Sequence, residues 1–440
     1  MEKVFNNLSE SLFSDLKQGE DVILSFSGEN SQFIRFNNAS VRQTGLVDDA
    51  EIELKFISNR RICGGGFTVS GNLEIDLKRG REEINRMRLE TKEIPEDPFL
   101  VLPTNAGSSH EVKNSNGLNF EDSVDAILPT MSGVDFVGIL ANGKTFRGNA
   151  NSLGQKHWFE TDSYSLDYSL VTPGHQMVKG SFSGTDWNQN EYEAYVERSK
   201  QKLVLMERKP IKVKTGDYKT WFESAAVSDF LGMFSWNGIS EASLRQGCSG
   251  FGKMRHNDIR LSPKFSIIED FKAGFCPKFN SDGEIAPESL ALIENGYLKN
   301  TLVSSRSAKE YDLTSNFAEA GEYLRSPNMS VGNLNHEDVV KSIGEGLFLS
   351  NIHYLNWSDN PGGRITGLTR YACFWVEGGE IVAPIETMRF DDSFYRFFGD
   401  QLLEVEDTQT VNPEVGTYGG RSLGATTCPG ILVDSFSLTL

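Results

Sequence analysis

Residues 346–400 read GLFLSNIHYLNWSDNPGGRITGLTRYACFWVEGGEIVAPIETMRFDDSFYRFFGD, and this stretch decides the fold class of the C-terminal half. Residues 346–357 are a short run rich in aromatic and branched side chains, which is typical of a strand. Residues 372–385 contain two more such runs, separated by Gly378 and Gly379. Adjacent glycines between two apolar runs indicate a hairpin turn. We therefore predict antiparallel strands across this stretch.

A second hairpin lies upstream, in the sequence ALIENGYLKNTLV at residues 291–303. Its turn is the pair Asn295-Gly296, a strong short-range hairpin signal because both residues tolerate a positive φ. Further strand-like runs occupy residues 265–269 and 430–440. The half of the chain after residue 255 is thus expected to be β-rich.

The N-terminal half mixes helices and strands. Three stretches have the apolar periodicity of amphipathic or charged helices: residues 2–17, 73–92 and 189–206. Strand-like runs lie between them, and the pair Asn142-Gly143 indicates a hairpin within residues 136–146. Residues 93–117 form a long loop that is either a flap or a surface excursion. We predict an α+β protein with an N-terminal α/β domain at residues 1–210 and a β-rich domain at residues 211–440.

Directly after this boundary, residues 219–238 read KTWFESAAVSDFLGMFSWNG. Phe222, Phe230 and Phe234 follow a helical spacing, and Thr220 with Glu223 has the pattern of a capping box. The stretch is therefore predicted to be one helix. A metallopeptidase would carry histidines on such a helix, and this one has none.

Composition limits the class of protein. The chain has 440 residues with 24% charged and 38% hydrophobic residues, which is typical of a globular protein with a core. Its formal net charge is -18, so its surface repels phosphate backbones and we expect no nucleic-acid partner. No apolar run approaches the length of a membrane-spanning helix, and we expect no membrane partner.

The five cysteines are dispersed and odd in number, which fits a reducing compartment better than a disulfide scaffold. The N-terminal residues form an amphipathic, acidic stretch without the apolar core of a signal peptide. We therefore predict a cytoplasmic protein.

No familiar catalytic motif is present. The closest two of the six histidines, His336 and His353, are seventeen residues apart, so no paired-histidine zinc motif exists. Cys248 and His256 lie near each other in a Gly-rich region and would be candidates for a nucleophile and its base. A buried or inert cysteine is the favoured interpretation, because catalytic pairs must also meet in space.

Two long stretches resemble the TldD/TldE (PmbA) family, once called modulators of DNA gyrase. The first is residues 280–311, where Asp282-Gly283 precedes the Leu-Ile-Glu-Asn-Gly hairpin. The second is residues 346–400, where a Gly-rich turn leads to an aromatic strand, Glu-Gly-Gly-Glu and a Pro-Ile strand. The N-terminal half is similar more weakly, through its opening helix and residues 35–45.

This resemblance implies a two-domain fold with an α/β N-terminal domain and a β-barrel-like, antiparallel C-terminal domain. It also implies two kinds of subunit. The TldD kind carries H-E-x-x-x-H on the helix after the domain boundary and a late cysteine, and these bind zinc. The TldE kind lacks them and pairs with the first kind in a peptidase for unfolded or precursor peptides.

In this chain the three motif positions fall at Gly232, Met233 and Asn237. None of these supplies an imidazole, thiolate or carboxylate ligand or a base for water activation. The late Cys428 stands in ATTCPG, outside the expected Gly-rich context, so no ligand role is carried over to it. We assign no catalytic residue and no metal ligand to this chain, and expect Gly232, Met233 and Asn237 to line a cavity.

The leading hypothesis is a non-catalytic TldE/PmbA-like subunit that holds peptide for a zinc-bearing TldD-like partner, with no cofactor of its own. A second hypothesis is a stand-alone hydrolase with an unrecognised site, for which Cys248, His256 and Cys428 are the first residues to substitute. A third is a homodimeric peptide-binding module. A companion gene encoding H-E-x-x-x-H would favour the first.

Overall fold

Strands dominate the fold, which is α+β as the sequence predicts. The computed structural model describes residues 1–440. In chain order the helices are α1 (Glu2–Ser14), α2 (Leu73–Glu90), α3 (Ser123–Ile127), α4 (Gln189–Met206), α5 (Ser224–Ser235), α6 (Glu241–Arg245), α7 (Gly252–Arg255), α8 (Ser305–Tyr311) and α9 (Val339–Ile343).

The strands form three sheets. In chain order they are β1 (Glu20–Asn37), β2 (Ser40–Ser58), β3 (Arg61–Thr68), β4 (Ser109–Lys113), β5 (Asp135–Asn151), β6 (Lys156–Val171), β7 (Met177–Gly184), β8 (Gly216–Phe222), β9 (Ile267–Asp270), β10 (Ser289–Glu294), β11 (Tyr297–Leu298), β12 (Pro327–Met329), β13 (Gly346–Asp359), β14 (Arg364–Glu377), β15 (Glu380–Pro384), β16 (Arg389–Ser393), β17 (Leu402–Val405), β18 (Thr410–Pro413), β19 (Ala425–Cys428) and β20 (Ile431–Leu438).

The first sheet is built entirely from the N-terminal half, in the order β3-β2-β1-β5-β6-β4. Strand β7 also pairs with β6, and all pairs are antiparallel except β4 with β6. The apolar sides of α1 and α2 pack on β1 and β2 through Phe5, Phe26 and Met87, which are fully buried. Alternating apolar residues along the strands supply this face.

Five strands of the C-terminal half close into a barrel. Strand β8 pairs with β13 and β20, β20 pairs with β16, and β14 pairs with both β16 and β13, which completes the ring. Its interior joins a core that includes Phe390 and Phe436. The other sheet has the order β11-β10-β9-β12-β19-β18, so β18 is its last strand. The predicted division at residues 210 and 211 stays a prediction.

Both predicted C-terminal hairpins are confirmed. Strands β10 and β11 flank Asn295-Gly296, and β14 and β15 flank Gly378-Gly379. The residues of both turns have positive φ values, as such tight turns require.

The hairpin predicted at Asn142-Gly143 is wrong. Strand β5 runs unbroken through both residues and pairs with β1 and β6 along its length. A Cβ on Gly143 would lie 2.3 Å from the carbonyl oxygen of Asn30, so the glycine permits close approach of two strands instead of a turn. The long loop at residues 93–117 likewise contains the short strand β4.

The single helix predicted over residues 219–238 is also wrong in its first part. Residues up to Phe222 form β8 between β13 and β20, and α5 begins only at Ser224. Barrel pairing overrides the local helical spacing there. The predicted capping box is absent as well, because the hydroxyl of Thr220 donates to Tyr218 O and Glu223 pairs with Lys202 at 2.6 Å.

Candidate functional site

Helix α5 has one face in the C-terminal core and another directed to solvent. Phe230 is fully buried, with its ring centroid 5.3 Å from that of Phe222 and 4.5 Å from that of Phe397. Asp229 and Gly232 are exposed on the opposite face, three residues apart as on one side of a helix, and Trp236 directly after the helix is exposed as well. The aromatic core therefore fixes which residues of α5 can face a ligand.

The structure places the three motif positions in different surroundings. Gly232 lines a cavity, and no atom lies within 4 Å of the position that a Cβ would occupy. Met233 was expected to line the cavity, and this expectation is wrong, because Met233 is only 5% exposed and packs in the core. Asn237 does not line this cavity either, since α5 ends at Ser235 and Asn237 has a left-handed φ of 55°.

These residues do not fit a zinc ion. Gly232 has no donor atom, the thioether of Met233 is in the core, and the amide of Asn237 is not a ligand that structural or catalytic zinc sites use. No group of three or more His, Cys, Asp or Glu side chains is arranged to hold a metal ion.

The cavity beside Gly232 belongs to a cleft between the first sheet and the C-terminal half. Two adjoining cavities, of about 720 and 680 Å³, make up this cleft. Both volumes are within the range of ligand pockets. The two cavities share four lining residues, which are Glu414, Ser422 and Leu423 from the connection between β18 and β19 and Ala425 at the start of β19.

The sheet side of the cleft is lined mainly by small polar residues. Their side chains offer hydroxyl and amide groups; they are Ser25, Ser27, Asn149, Thr161, Ser163, Ser165 and Ser183. Opposite them lie residues of the C-terminal half, among them Leu231 beside Gly232 and the charged Glu319 and Arg325. The polar groups of these walls can hydrogen-bond a peptide backbone.

Two sheet edges border the larger cavity. Strand β4 has only β6 as a partner, and its Val112 and Lys113 line the cavity. Strand β18 has only β19 as a partner, and Val411 and Pro413 line the same cavity. Unpaired backbone groups on such edges can add an extended segment as a further strand.

Arg421 fixes the connection between β18 and β19 against the first sheet. Its guanidinium donates to the carbonyl oxygens of Gly143 at 2.8 Å and Ser163 at 2.9 Å. Burial lowers the pKa of Arg421 to about 10, while the nearby Glu29 opposes that shift. Burial likewise lowers the pKa of Arg147, whose guanidinium donates to Arg421 O at 3.0 Å.

Asp229 lies on the exposed side of α5. Neighbouring protein partly desolvates its carboxyl group, and the carboxylate of Glu414 is a nearby like charge. The desolvation and this charge raise the pKa of Asp229 to about 7, against a weaker opposing contact with the backbone of Ile352. Both causes favour the neutral form of Asp229 relative to an ordinary carboxyl group.

The cysteines of the second hypothesis lie apart from the cleft wall that Gly232 forms. Cys428 is fully buried against Ser224, with Sγ 3.4 Å from the serine Oγ. Ser224 starts α5, about 12 Å along the helix from Gly232 at the usual rise per residue. Burial raises the pKa of the Cys428 thiol to about 12, so it is not a thiolate nucleophile at neutral pH.

Cys248 and His256 are both exposed, and no hydrogen bond joins their side chains. The Sγ atom of Cys248 is 3.7 Å from Gln246 O. The structure therefore does not assemble a Cys–His pair from them.

A family model for the PmbA/TldA metallopeptidase C-terminal domain matches residues 215–440. The chain belongs to the TldD/PmbA family. No curated protein sequence matches it. Its fold is similar to those of several solved structures, and the three described next each overlap nearly the whole chain.

The first is a protein named as a modulator of a DNA gyrase from Thermotoga maritima, with a TM-score of 0.78, 16% identity and coverage of 99% of this chain and 100% of that one. The second is TldE from Thermococcus kodakarensis, with a TM-score of 0.76, 16% identity and coverage of 99% of this chain and 100% of that one. The third is a protein named as a modulator of DNA gyrase from Bacteroides thetaiotaomicron, with a TM-score of 0.73, 14% identity and coverage of 100% of this chain and 98% of that one. At these identities the likeness concerns the fold of this TldD/PmbA chain.

Two prominent cleft residues, Lys113 and Arg421, were missed by sequence reasoning. Neither stands in a motif, and they are brought together by tertiary structure alone. The only sequence signal was the placement of Lys113 in the long loop at residues 93–117. Among the helices, none combines the length and the hydrophobicity that a membrane-spanning segment needs.

Proposed function

We propose that this TldD/PmbA chain is a non-catalytic, TldE-like subunit that holds extended peptide beside the zinc site of a TldD-like partner. The observation that carries the proposal is Gly232. It stands where the first histidine of the family motif is expected, on the wall of the cleft, and it offers no ligand. The family membership supports a peptidase setting, and the likeness of fold to TldE supports this kind of subunit.

The cleft supports the peptide-holding role. It has ligand-sized volume, polar hydroxyl groups on one wall and two sheet edges beside it. Strand addition grips a peptide through its backbone, so one site can serve many unfolded or precursor sequences. The partner would supply the zinc ion and the base that activates water.

The five cysteines are all free, and Cys248 is exposed. Free exposed thiols are typical of a reducing compartment, which supports a cytoplasmic location for the proposed complex.

The deciding experiment is to measure zinc in this chain purified alone and then co-purified with a partner that carries H-E-x-x-x-H. We expect the lone chain to be zinc-free and the complex to hold about one zinc per heterodimer, the stoichiometry of a single mononuclear site. Peptide cleavage should then require the complex and be abolished by a chelator. The matched control is a complex in which the partner's motif glutamate is replaced by glutamine.

Stoichiometric zinc in the lone chain, or chelator-sensitive cleavage by it, would contradict the proposal and favour a stand-alone enzyme. A stable homodimer that binds peptide but never associates with a motif-bearing partner would favour the binding-module hypothesis. Light scattering on the same samples distinguishes these assemblies.

A further inference from the structure

Lys113 lies at the end of the edge strand β4, inside the larger cavity of the cleft. Its side chain is half-buried, and its ammonium group lies against Gly274. A Cβ atom at position 274 would occupy the space that the ammonium group fills. Gly274 has a φ of 73°, so the backbone conformation there also suits glycine. The C-terminal half thus holds the ammonium group of an N-terminal-half lysine in the cleft.

Lys113 has no partner in the protein. It forms no salt bridge and its ammonium donates no hydrogen bond to another residue. The other cation of this cavity, Arg421, already donates to Gly143 O, Ser163 O and Ser163 Oγ. In a chain with a net charge of -18, an unpaired half-buried cation on a cavity wall is an open site for an anion.

The backbone of β18 offers hydrogen bonds in the same cavity. The N–H of Glu414 donates to Gly424 O at 3.0 Å, so the alternation of an antiparallel pair turns the N–H and C=O of Val411 away from β19. Val411 is 43% exposed and lines the cavity with Lys113. An extended peptide paired with Val411 would therefore share one cavity with an unpaired ammonium group.

We propose that Lys113 binds a carboxylate of the peptide that the cleft holds, either its C-terminal carboxylate or an acidic side chain. This inference rests on the proposed function, and it names the chemistry that the cleft selects. Glu414 determines which end of the cleft suits the peptide carboxylate. It is exposed at the junction of the two cavities without an ion-pair partner, so it repels a carboxylate at that junction. The carboxylate is therefore favoured at the end of the cleft where Lys113 lies.

The test uses the full chain and labelled peptides of alternating serine and valine in fluorescence anisotropy. One pair of peptides has either a free carboxylate or an amide at its C-terminus. A second pair is amidated and has an internal glutamate or glutamine. In at least one of the two pairs, we expect the peptide with the carboxylate to bind about fivefold more tightly than its neutral counterpart, as for a partly exposed ion pair. This difference in affinity should disappear as the salt concentration is raised.

The variant Lys113→Gln should remove the preference while the neutral peptide binds as before. Glu414→Gln should increase the preference. Lys209→Gln is the matched control, because Lys209 is exposed, has no ion pair and lies outside the cleft, so the same charge change should leave binding unchanged. Circular dichroism of each variant establishes that it is folded.

A carboxylate preference that persists in Lys113→Gln would overturn the inference, as would equal binding of charged and neutral peptides by the unaltered chain. In both of these results the peptides still bind, so the proposed function survives. If no peptide binds in any form, the proposed holding role fails and the inference fails with it.

Discussion

The backbone N–H of Arg421 donates to the carboxylate of Glu29 at 3.2 Å, which joins β1 to the connection between β18 and β19 across 392 residues of sequence. Both residues are buried, at 8% and 6% exposure. The guanidinium of the same arginine binds β5 and β6. One side chain thus holds the segment that lines both cavities of the cleft against the first sheet.

Replacing Arg421 with methionine should destabilise the protein by about 3 kcal/mol. The change removes the guanidinium that donates to the carbonyl oxygens of Gly143 and Ser163, and it leaves Arg147 as the remaining cation near the buried Glu29. Breaking buried charged contacts has costs of this size. Urea unfolding at neutral pH measures the difference. Arg86→Met is the control, because Arg86 pairs with Glu83 and Glu90 at the surface and should cost no more than about 1 kcal/mol.

Gly232→Ala should stabilise the protein by about 0.5–1 kcal/mol, the helix-interior advantage of alanine over glycine. The new methyl group meets no atom within 4 Å. Gly238→Ala is the matched control and should destabilise by about 1–3 kcal/mol, since its Cβ would lie 2.4 Å from Phe234 O. Thermal unfolding followed by circular dichroism measures the stability of both variants. A change of the same sign in the two variants would contradict the prediction.

Helices α4 and α5 show where local sequence patterns predict the fold and where they fail. The helix predicted at residues 189–206 has the bounds of α4, because its periodicity and its N-cap at Asn188 are local. The helix predicted over residues 219–238 failed at Phe222, whose aromatic spacing to Phe230 is real but whose backbone pairs with β13 and β20. Those partners are more than a hundred residues away, so no local pattern announces them.

The candidate site was predictable only where one element contains it. The family resemblance indicated Gly232 as a cavity residue of α5. The prediction for Met233 was wrong because the sequence does not define which face of α5 packs against the core. Lys113 and Arg421 line the same cavity although they belong to different halves of the chain. Their juxtaposition is set by docking of the two halves, which no spacing in the sequence records.

Alkylation should distinguish the exposed Cys248 from three buried cysteines of this chain. Cys248 is exposed and should react with iodoacetamide in the native protein. Burial raises the pKa of Cys276 and Cys428 to about 12 and that of Cys373 to about 11, so these three should react only after denaturation.

Mass spectrometry of tryptic peptides identifies the labelled residues. Cys248→Ser should remove the labelled peptide that contains this residue and leave any peptide binding unchanged, since Cys248 lies outside the cleft. Labelling of Cys428 as fast as that of Cys248 would contradict its buried position and revive the nucleophile hypothesis.

Glu241 should make the protein sensitive to acid. Its carboxylate is 1% exposed and accepts hydrogen bonds from Arg255 at 2.7 and 2.8 Å, from Thr301 at 2.7 Å and from Arg245 at 2.8 Å. Burial alone would raise the pKa of Glu241, but these contacts outweigh it and lower the pKa to about 2. The folded-state pKa is then below the ordinary value of 4.5, so the unfolded chain takes up this proton first.

The stability that Glu241 contributes is therefore complete above about pH 4.5 and is lost as the pH falls to about 2. A shift of this size corresponds to about 3 kcal/mol. Glu241→Gln should be destabilised by about that amount at pH 7 and should approach the unaltered chain in stability as the pH nears 2. Urea unfolding across this pH range measures both, with the exposed Glu51→Gln as a control. A difference that stayed constant with pH would mean that packing, and not charge, is the contribution of Glu241.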